Sequence, residues 1–300
     1  MKKIFINFAN DKFKRQQEFA LKMAKLFGNF DKIIGYGPED IDADFFKKNE
    51  EILKVERGAG LWLWKPYFIL KTLNEAKEGD YVFYLDSGFF MIKKIDLLID
   101  SLAKSNQDIM SFQTYYPEFQ WTKKSLFESM DCMEDKHKEI NQFVGGICLI
   151  KNTAFSRSFF EKFVSYASQY ENISDTNESD EQDEKFIEHR HDQSVYSLLC
   201  KKEGLKPFRT PFVFGELGAA YAVMKKTEQA YGKEMNFNFT DFENSNYPSM
   251  LHINKEFVMF GVKINLFFIS YLYLRLLNAI TFKSRLYNAL LKLGVKSQKA

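Results

Sequence analysis

The sequence predicts an α/β fold in which helices flank a mostly parallel sheet. The chain opens with a β-type run, Lys3–Phe8, then a helical stretch over 13–27 and a second β-type run over 31–36, which together make a βαβ unit. Tyr81–Leu85 is an unbroken apolar run, as expected of a strand that is buried on both faces. The 300 residues, 45% apolar and 27% charged, are enough for one large domain of this class or two small ones.

The strongest helix signal precedes the apolar strand. Pro66 lies where a helix can begin, Leu70 and Leu73 recur at helical spacing, and Gly79 provides the stop. Because strands of an α/β sheet aim their carboxyl ends at a ligand crevice, the residues directly after Tyr81–Leu85 are expected at that edge. The remaining predicted elements are strands over 108–113 and 146–150, a helix over 153–169 and an amphipathic helix that begins near 192.

An acidic segment interrupts this pattern. Residues 171–188 include eight acids and little apolar character. A metal site needs ligands that are held in place, and this composition provides no such support. We therefore expect a solvated loop here rather than a metal site.

The overall charge and the cysteine usage narrow the class of protein. The balance of 42 basic and 40 acidic residues gives a net charge of +2, which removes a chain-wide electrostatic case for nucleic-acid binding. Cys132, Cys148 and Cys200 lie far apart without C-x-x-C spacing, so neither a disulfide framework nor a structural zinc site is indicated. Residues 1–13 lack the apolar core of a secretory signal, so a cytoplasmic protein is expected.

The carboxyl-terminal segment has a different composition from the rest. Residues 257–300 contain seven basic residues and no acidic ones, and their longest apolar run, 266–274, is about half of what a spanning helix needs. We predict two regions, a main α/β domain over 1–256 and an amphipathic basic helical segment over 257–300. The segment is expected to lie on an anionic membrane surface at the inner face of the cell membrane. The alternative is a helix that packs on the domain or forms a dimer contact.

Asp86-Ser87-Gly88 is the first candidate functional motif. It places a carboxylate on a sharp turn at a strand end, and Gly88 allows a phosphate or sugar to approach the backbone. A bare D-x-G is usually a surface turn with a capping aspartate. The buried strand before Asp86 favours the functional interpretation.

The second motif is the stretch from Arg57 to Pro66, which contains two cations, two tryptophans and two glycines. Arg57 and Lys65 can pair with phosphate oxygens, and an indole such as that of Trp64 gives a flat face for a base or a sugar. The alternative is that both tryptophans belong to the core and that the cations are solvated.

The third motif is His189-Arg190-His191-Asp192-Gln193. Adjacent residues on one helical turn point in different directions, so the two histidines are a poor metal pair. We predict a loop that leads Asp192 and Gln193 to a helix start near a ligand, where Asp192 can also act as the helix cap.

Two isolated residues are weaker candidates. His252, flanked by apolar residues, is more often structural than a ligand, and its interest depends on proximity to Asp86. Glu216 is a carboxylate in a glycine-flanked loop.

Taken together, the motifs from Arg57 to Pro66, from Tyr84 to Gly88 and from His191 to Ser194 resemble those of bacterial glycosyltransferases of the GT-A fold. Such enzymes act in lipopolysaccharide, capsule or other surface-polysaccharide biosynthesis. The likeness spans roughly residues 2–254. It implies a Rossmann-like domain that binds a nucleoside-diphosphate sugar and moves the sugar onto an acceptor hydroxyl of a glycan or glycolipid.

The resemblance also implies roles for residues. Members of this fold place Asp-x-Asp after a strand to hold Mn²⁺ or Mg²⁺ against the diphosphate, whereas here Gly88 replaces the second aspartate. Either Asp86 and His252 hold a divalent cation, or Arg57 and Lys65 neutralise the diphosphate without one. The candidate catalytic residues are Asp192 and Glu216, and the candidate donor-binding residues are Arg57, Trp64, Lys65, Asp86, Gly88 and Gln193.

Two other functions fit parts of the sequence. The absent second aspartate is compatible with a non-catalytic module that binds a nucleotide sugar or a glycan. A metal-dependent hydrolase built on His189 and His191 is a more distant alternative.

Overall fold

The computed structural model describes residues 1–176, 181–212, 232, 236, 242–253, 256–259 and 262–265. The chain divides into two compact units, Met1–His252 and Ile253–Ala300. Glu216 lies outside the described residues.

A six-stranded sheet forms the centre of the first unit. Its strands, in chain order, are β1 (Lys3–Phe8), β2 (Lys32–Tyr36), β3 (Tyr81–Leu85), β5 (Ile109–Pro117), β6 (Asn141–Lys151) and β7 (Phe208–Arg209), and their spatial order is β2-β1-β3-β6-β5-β7. β6 runs antiparallel to both of its neighbours, and the other adjacent pairs are parallel. The predicted α/β fold with a mostly parallel sheet is therefore confirmed.

Helices cover both faces of the sheet. They are α1 (Lys14–Met23), α2 (Ala43–Lys48), α3 (Glu50–Leu53), α4 (Gly58–Leu61), α5 (Trp64–Glu75), α6 (Asp96–Lys104), α7 (Lys124–Ser129), α8 (Asp135–Lys138), α9 (Ala154–Ala167), α10 (Tyr170–Ile173) and α11 (His191–Lys202). Successive side chains of a strand point to opposite faces, so Val82 and Tyr84 enter the core beneath α5, α9 and α11, whereas Phe83 and Leu85 enter the core beneath α6. All five residues of β3 are buried, as its unbroken apolar run predicts.

The acidic segment contains one short helix, α10, and otherwise turns and irregular chain in its described part. β4 (Phe89–Met91) follows Asp86-Ser87-Gly88 and pairs with β8 (Leu251–Ile253) in a small separate sheet. This pairing places β8 beside the turn that follows β3.

The second unit differs, in its described residues, from the helical segment predicted over 257–300. Its described part is an antiparallel pair of strands, β9 (Glu256–Met259) and β10 (Val262–Asn265). The β-branched and aromatic residues in this stretch favour strand over helix. The prediction of a helix relied instead on the basic and apolar composition of residues 257–300 as a whole. Residues 266–300 lie outside the described residues. In the described part of the chain, no helix combines the length and apolar character that crossing a membrane requires.

Candidate functional site

A cavity of about 350 Å³ lies at the carboxyl edge of the sheet, beside the end of β3. It is lined by Arg57, Trp62, Lys65, Asp86, Gly146, Glu188, His189, Arg190, His191, Asp192 and Gln193. The cavity thus joins the three sequence motifs, which are distant along the chain. Its volume falls within the range of small-molecule sites, roughly 300–1,000 Å³.

Asp86 is held at this edge by the backbone and by a tyrosine. Its backbone N–H donates to the carbonyl of Gly146 at 2.9 Å, which continues the pairing of β3 with β6. The hydroxyl of Tyr84 donates to its Oδ1. Burial, followed by the charge of Asp86, raises the pKa of Tyr84 well above its ordinary value, so this hydroxyl keeps its proton.

Lys65 links two parts of the site. It lies in the first turn of α5 and is only 4% exposed, and its Nζ is 2.6 Å from Oδ2 of Asp192 and 3.6 Å from Oδ1 of Asp86. Burial by itself would lower the pKa of Lys65, but the charges of the two carboxylates, Asp192 before Asp86, raise it above its ordinary value. A buried ammonium that bridges two carboxylates therefore forms the base of the cavity.

Asp192 stands at the start of α11, directly after a strained residue. His191 has φ of 47°, in the left-handed region that non-glycine residues seldom adopt. Burial raises the pKa of Asp192 to about 6, although the charge of Lys65 opposes the shift. A carboxylate with a pKa near neutrality can exchange a proton with a bound substrate.

A left-handed turn shapes the opposite wall of the cavity. Gly58, Ala59, Gly60, Leu61 and Trp62 all have positive φ, between 50° and 98°. The left-handed conformation costs roughly 1–2 kcal/mol per non-glycine residue, and such strain often accompanies functional sites. The turn explains why Arg57 and Trp62 reach a cavity that a regular helix would direct them away from.

The turn also reverses the roles expected of the two tryptophans. Trp64, the predicted binding residue, is buried, stacks on Phe8 with ring centroids 3.9 Å apart, and donates from Nε1 to the carbonyl of Gly58 at 2.9 Å. It belongs to the core, and the prediction that it contacts a ligand is corrected. Trp62 lines the cavity instead, with its ring 5.1 Å from that of His191.

The mouth of the cavity contains a second ion pair. Nη1 of Arg57 lies 2.9 Å from Oδ2 of Asp175, and Nε2 of His191 is 3.5 Å from the other oxygen of that carboxylate. About half of the Arg57 side chain is exposed, so this pair contributes little stability. The guanidinium can exchange Asp175 for a ligand phosphate at small cost.

Glycines that the sequence analysis did not single out allow the close packing of the site. A methyl group on Gly146 would lie 2.8 Å from Oδ2 of Asp86, and one on Gly145 would lie 2.9 Å from Cβ of Gln193. The side chain of Gln193 accepts a hydrogen bond from the backbone N–H of Gly145 at 3.0 Å. Two adjacent glycines, Gly145 and Gly146, at the start of the strand predicted over 146–150 were the available signal.

Gly88 and His252 lie elsewhere. Gly88 does not line the cavity, and a methyl group on it would meet no atom within 4 Å. His252 is 1% exposed and stacks on Phe90 with ring centroids 5.3 Å apart, also outside the cavity lining. The pairing of β8 with β4 places the ring of His252 on Phe90, and the pairing of His252 with Asp86 stays a prediction.

The two cavity histidines are tied to the backbone. His189 Nε2 lies 3.0 Å from the carbonyl of Asn172, and His191 Nδ1 lies 2.8 Å from that of Ile173. Burial lowers the pKa of both rings, that of His189 well below its ordinary value, so both are neutral near pH 7. They fasten α10 to the cavity wall.

Among the described residues, the carboxylates nearest Asp86 are arranged around an ammonium rather than around a divalent cation. Oδ1 of Asp86 is already shared between Tyr84 and Lys65, and the ammonium sits between the two carboxylates that would otherwise be the nearest ligands. Among the described residues, no cluster of three or more histidine, cysteine or acidic side chains could hold a metal ion. A cation at Asp86 would have to displace Lys65.

Comparisons with known proteins give structural likenesses only. No family model matches the chain, and no curated protein matches it. It is similar to mouse xyloside xylosyltransferase 1 (11% identity, 84% of this chain and 97% of that one, TM-score 0.47). It is also similar to the galactosyltransferase LgtC, solved with donor and acceptor sugar analogues (15% identity, 83% of this chain and 86% of that one, TM-score 0.42). A third similar structure is the glycosyltransferase GlyE of Streptococcus pneumoniae TIGR4 (17% identity, 88% of this chain and 58% of that one, TM-score 0.43).

Proposed function

We propose that the chain is a glycosyltransferase that moves a sugar from a nucleoside-diphosphate sugar to an acceptor hydroxyl. The observation that carries the proposal is the set of Asp86, Lys65 and Asp192 at the base of a cavity whose mouth holds Arg57. Transfer from such a donor needs positive charge near a departing diphosphate and a carboxylate near the reacting hydroxyl. This cavity contains both.

Arg57 is the residue we assign to the diphosphate. A guanidinium presents a planar fork of donors that matches phosphate oxygens, and its present partner, Asp175, is 40% exposed and weakly held. The adjoining face of Trp62 suits stacking with a base or sugar. The diphosphate of the donor would thus replace the carboxylate of Asp175 as the partner of Arg57 at the cavity mouth.

Asp192 is the residue we assign to the transfer step. In an inverting reaction, its carboxylate takes the proton of the acceptor hydroxyl as the new C–O bond forms at the anomeric carbon and the bond to the diphosphate breaks. In a retaining reaction, the same carboxylate orients donor and acceptor. Lys65 keeps this side chain in place in either case.

Arg57 is the cation that supports donor binding without a divalent cation. The ammonium of Lys65 is already paired with Asp86 and Asp192, whereas the half-exposed guanidinium of Arg57 can turn from Asp175 to the diphosphate. Metal-free binding was one of the two possibilities that the sequence left open, and it is the one we propose.

Replacing Asp86 is expected to disrupt donor recognition. A ligand that binds only the native state raises the melting temperature, so the wild-type protein should show an upward shift with one nucleotide sugar from a panel, equal with Mn²⁺ and with a chelator. Asp86→Ala removes the carboxylate that both Tyr84 and Lys65 contact, which disorganises the base of the cavity, and it should abolish that shift. Asp100→Ala, the same change at an exposed position on α6, is the control and should retain it. An unaltered shift in Asp86→Ala would contradict the role of Asp86, and a shift that requires Mn²⁺ would contradict metal-free binding.

The runner-up function is a non-catalytic module that binds a nucleotide sugar or a glycan. The two are separated by product analysis with a mixed acceptor pool. A transferase releases a nucleoside diphosphate such as UDP or GDP when acceptor is supplied, whereas a binding module gives saturable binding without release.

We also propose that the acceptor is a lipid-linked glycan or a lipopolysaccharide or capsule precursor, and that the protein binds the membrane surface peripherally. The support is the basic, apolar composition of residues 257–300, which suits an anionic lipid surface.

Deleting residues 266–300, which hold six of the seven basic residues, is expected to move the protein from the membrane fraction to the supernatant of lysed cells. Ultracentrifugation followed by immunoblotting measures this. Equal partition of the full-length and shortened chains would count against membrane binding.

A further inference from the structure

Glu118 is a buried carboxylate outside the cavity. It begins the 3-10 turn Glu118–Gln120 that follows β5, and it is 0% exposed. Its Oε1 accepts hydrogen bonds from Thr122 Oγ1 at 2.6 Å and from Gln142 Nε2 at 2.8 Å. Its Oε2 accepts from the hydroxyl of Ser197 and from Lys201 Nζ, the latter at 2.8 Å. Both oxygens are therefore fully engaged.

The hydrogen bonds continue from Glu118 to the cavity. Gln142 accepts at Oε1 from Nε2 of Gln193 at 2.6 Å, and Oε1 of Gln193 accepts from the backbone N–H of Gly145. Both ends of the Gln193 amide are thus fixed, and Gln193 lines the cavity beside Asp192. The chain from Glu118 to the cavity wall contains one intermediate side chain, that of Gln142.

The same contacts define how α11 is turned about its own axis. Apolar burial does not define this orientation, because nine of the twelve residues of α11 are buried and the helix lacks a clear solvent face. Gln193, Ser197 and Lys201 recur every four residues and so share one face of the helix. This polar stripe meets Glu118 directly at two positions and through Gln142 at the third.

We propose that Glu118 is the positioning residue of the transfer site: its carboxylate fixes the rotation of α11 and, through Gln142, the orientation of the Gln193 amide. Asp192 lies at the first turn of the same helix, so this anchor also sets where its carboxylate points. The expected effect of Glu118 on catalysis rests on the proposed function. The hydrogen bonds from Glu118 through Gln142 to Gln193 are independent of that function.

Two double variants separate positioning from stability. Removing Glu118 alone would leave the Lys201 ammonium buried without its counter-charge, which typically costs about 3–5 kcal/mol. Glu118→Gln with Lys201→Met, and Glu118→Leu with Lys201→Met, both remove the charge pair. They differ in whether an oxygen remains to accept from Gln142. Both are expected to fold.

The retained oxygen should decide the activity. We expect kcat within about threefold of wild type for the glutamine variant and at least about tenfold lower for the leucine variant, because small misplacements at a reacting centre have large effects on rate. Lys162→Met with Glu203→Leu, which removes a more exposed ion pair between α9 and the end of α11, is the control and should match wild type. Equal kcat in the two Glu118 variants would overturn the proposal.

A second measurement does not depend on activity. In ¹⁵N spectra, the side-chain amide protons of Gln193 should exchange slowly with water in the wild type and in the glutamine variant, and quickly in the leucine variant. Equal exchange in all three would overturn the relay. A wild-type protein that transfers no sugar would overturn the proposed function, and the exchange result would still decide the role of Glu118.

Discussion

Asp192→Asn is expected to lower the rate of sugar transfer by about 10²–10⁴-fold, the usual contribution of a positioned general base. The amide is nearly isosteric with the carboxylate but has no basic oxygen of comparable strength. Donor binding should persist, because Arg57 and Asp86 are unchanged. The measurement is steady-state kcat with the donor identified by binding, together with the melting shift that this donor causes. A variant that keeps wild-type kcat would remove Asp192 from the transfer step.

The pH dependence provides an independent check of the same residue. Because burial raises the pKa of Asp192 to about 6 in the unliganded protein, the carboxylate form needed to accept a proton is lost below that pH. The value of kcat/KM, which reports ionisation of the free enzyme, should therefore rise as pH increases through about 6. The free energy of unfolding should change with pH in the opposite direction. Because the pKa of Asp192 is raised in the folded protein, protonation of this residue stabilises the fold. The stabilisation is complete below the ordinary pKa of 3.8 and is lost as pH rises through about 6. Asp192→Asn should flatten both dependences in this window.

Lys65→Met is expected to destabilise the fold by about 3–5 kcal/mol and to abolish transfer, because it leaves two carboxylates facing each other at the base of the cavity. Chemical denaturation measures the free energy of unfolding. Lys71→Met is the matched control on the same helix. Its partner, Asp42, is 64% exposed, so the loss there should stay below about 1 kcal/mol.

A double variant tests whether the pair itself is responsible. Lys65→Met combined with Asp192→Asn removes one of the two unpaired carboxylates and should be more stable than Lys65→Met alone. A double variant whose destabilisation equals the sum of the two single changes would show that Lys65 and Asp192 act independently.

Local patterns predicted most of the elements that build the site. The apolar run before Asp86 indicated a strand buried on both faces, and the proline and leucines after Lys65 indicated α5, because both signals depend on neighbouring residues only. The rule that strand ends share an edge predicted the place of Asp86. The expectation that Arg57, Lys65, Asp192 and Gln193 serve the same ligand came from the resemblance to glycosyltransferases, and all five residues line one cavity.

Other parts of the site have no local signal. Five successive positive φ values turn Trp62 towards the cavity and Trp64 into the core, and only two of those five residues are glycines. Gly146 allows the close packing against Asp86, because the antiparallel pairing of β3 with β6 brings Gly146 opposite. The pairing of β8 with β4 stacks His252 on Phe90, which the local sequence does not indicate.

The sequence by itself determined the alternation of strands and helices and the emergence of Asp86 at the carboxyl edge of the sheet, because hydrophobic periodicity and turn residues act over short stretches. The tertiary structure alone decided that one buried ammonium, that of Lys65, serves both Asp86 and Asp192, and that Glu118 fixes α11 from outside the cavity. These contacts join residues far apart in the chain, and no periodicity specifies which of several buried charges will meet.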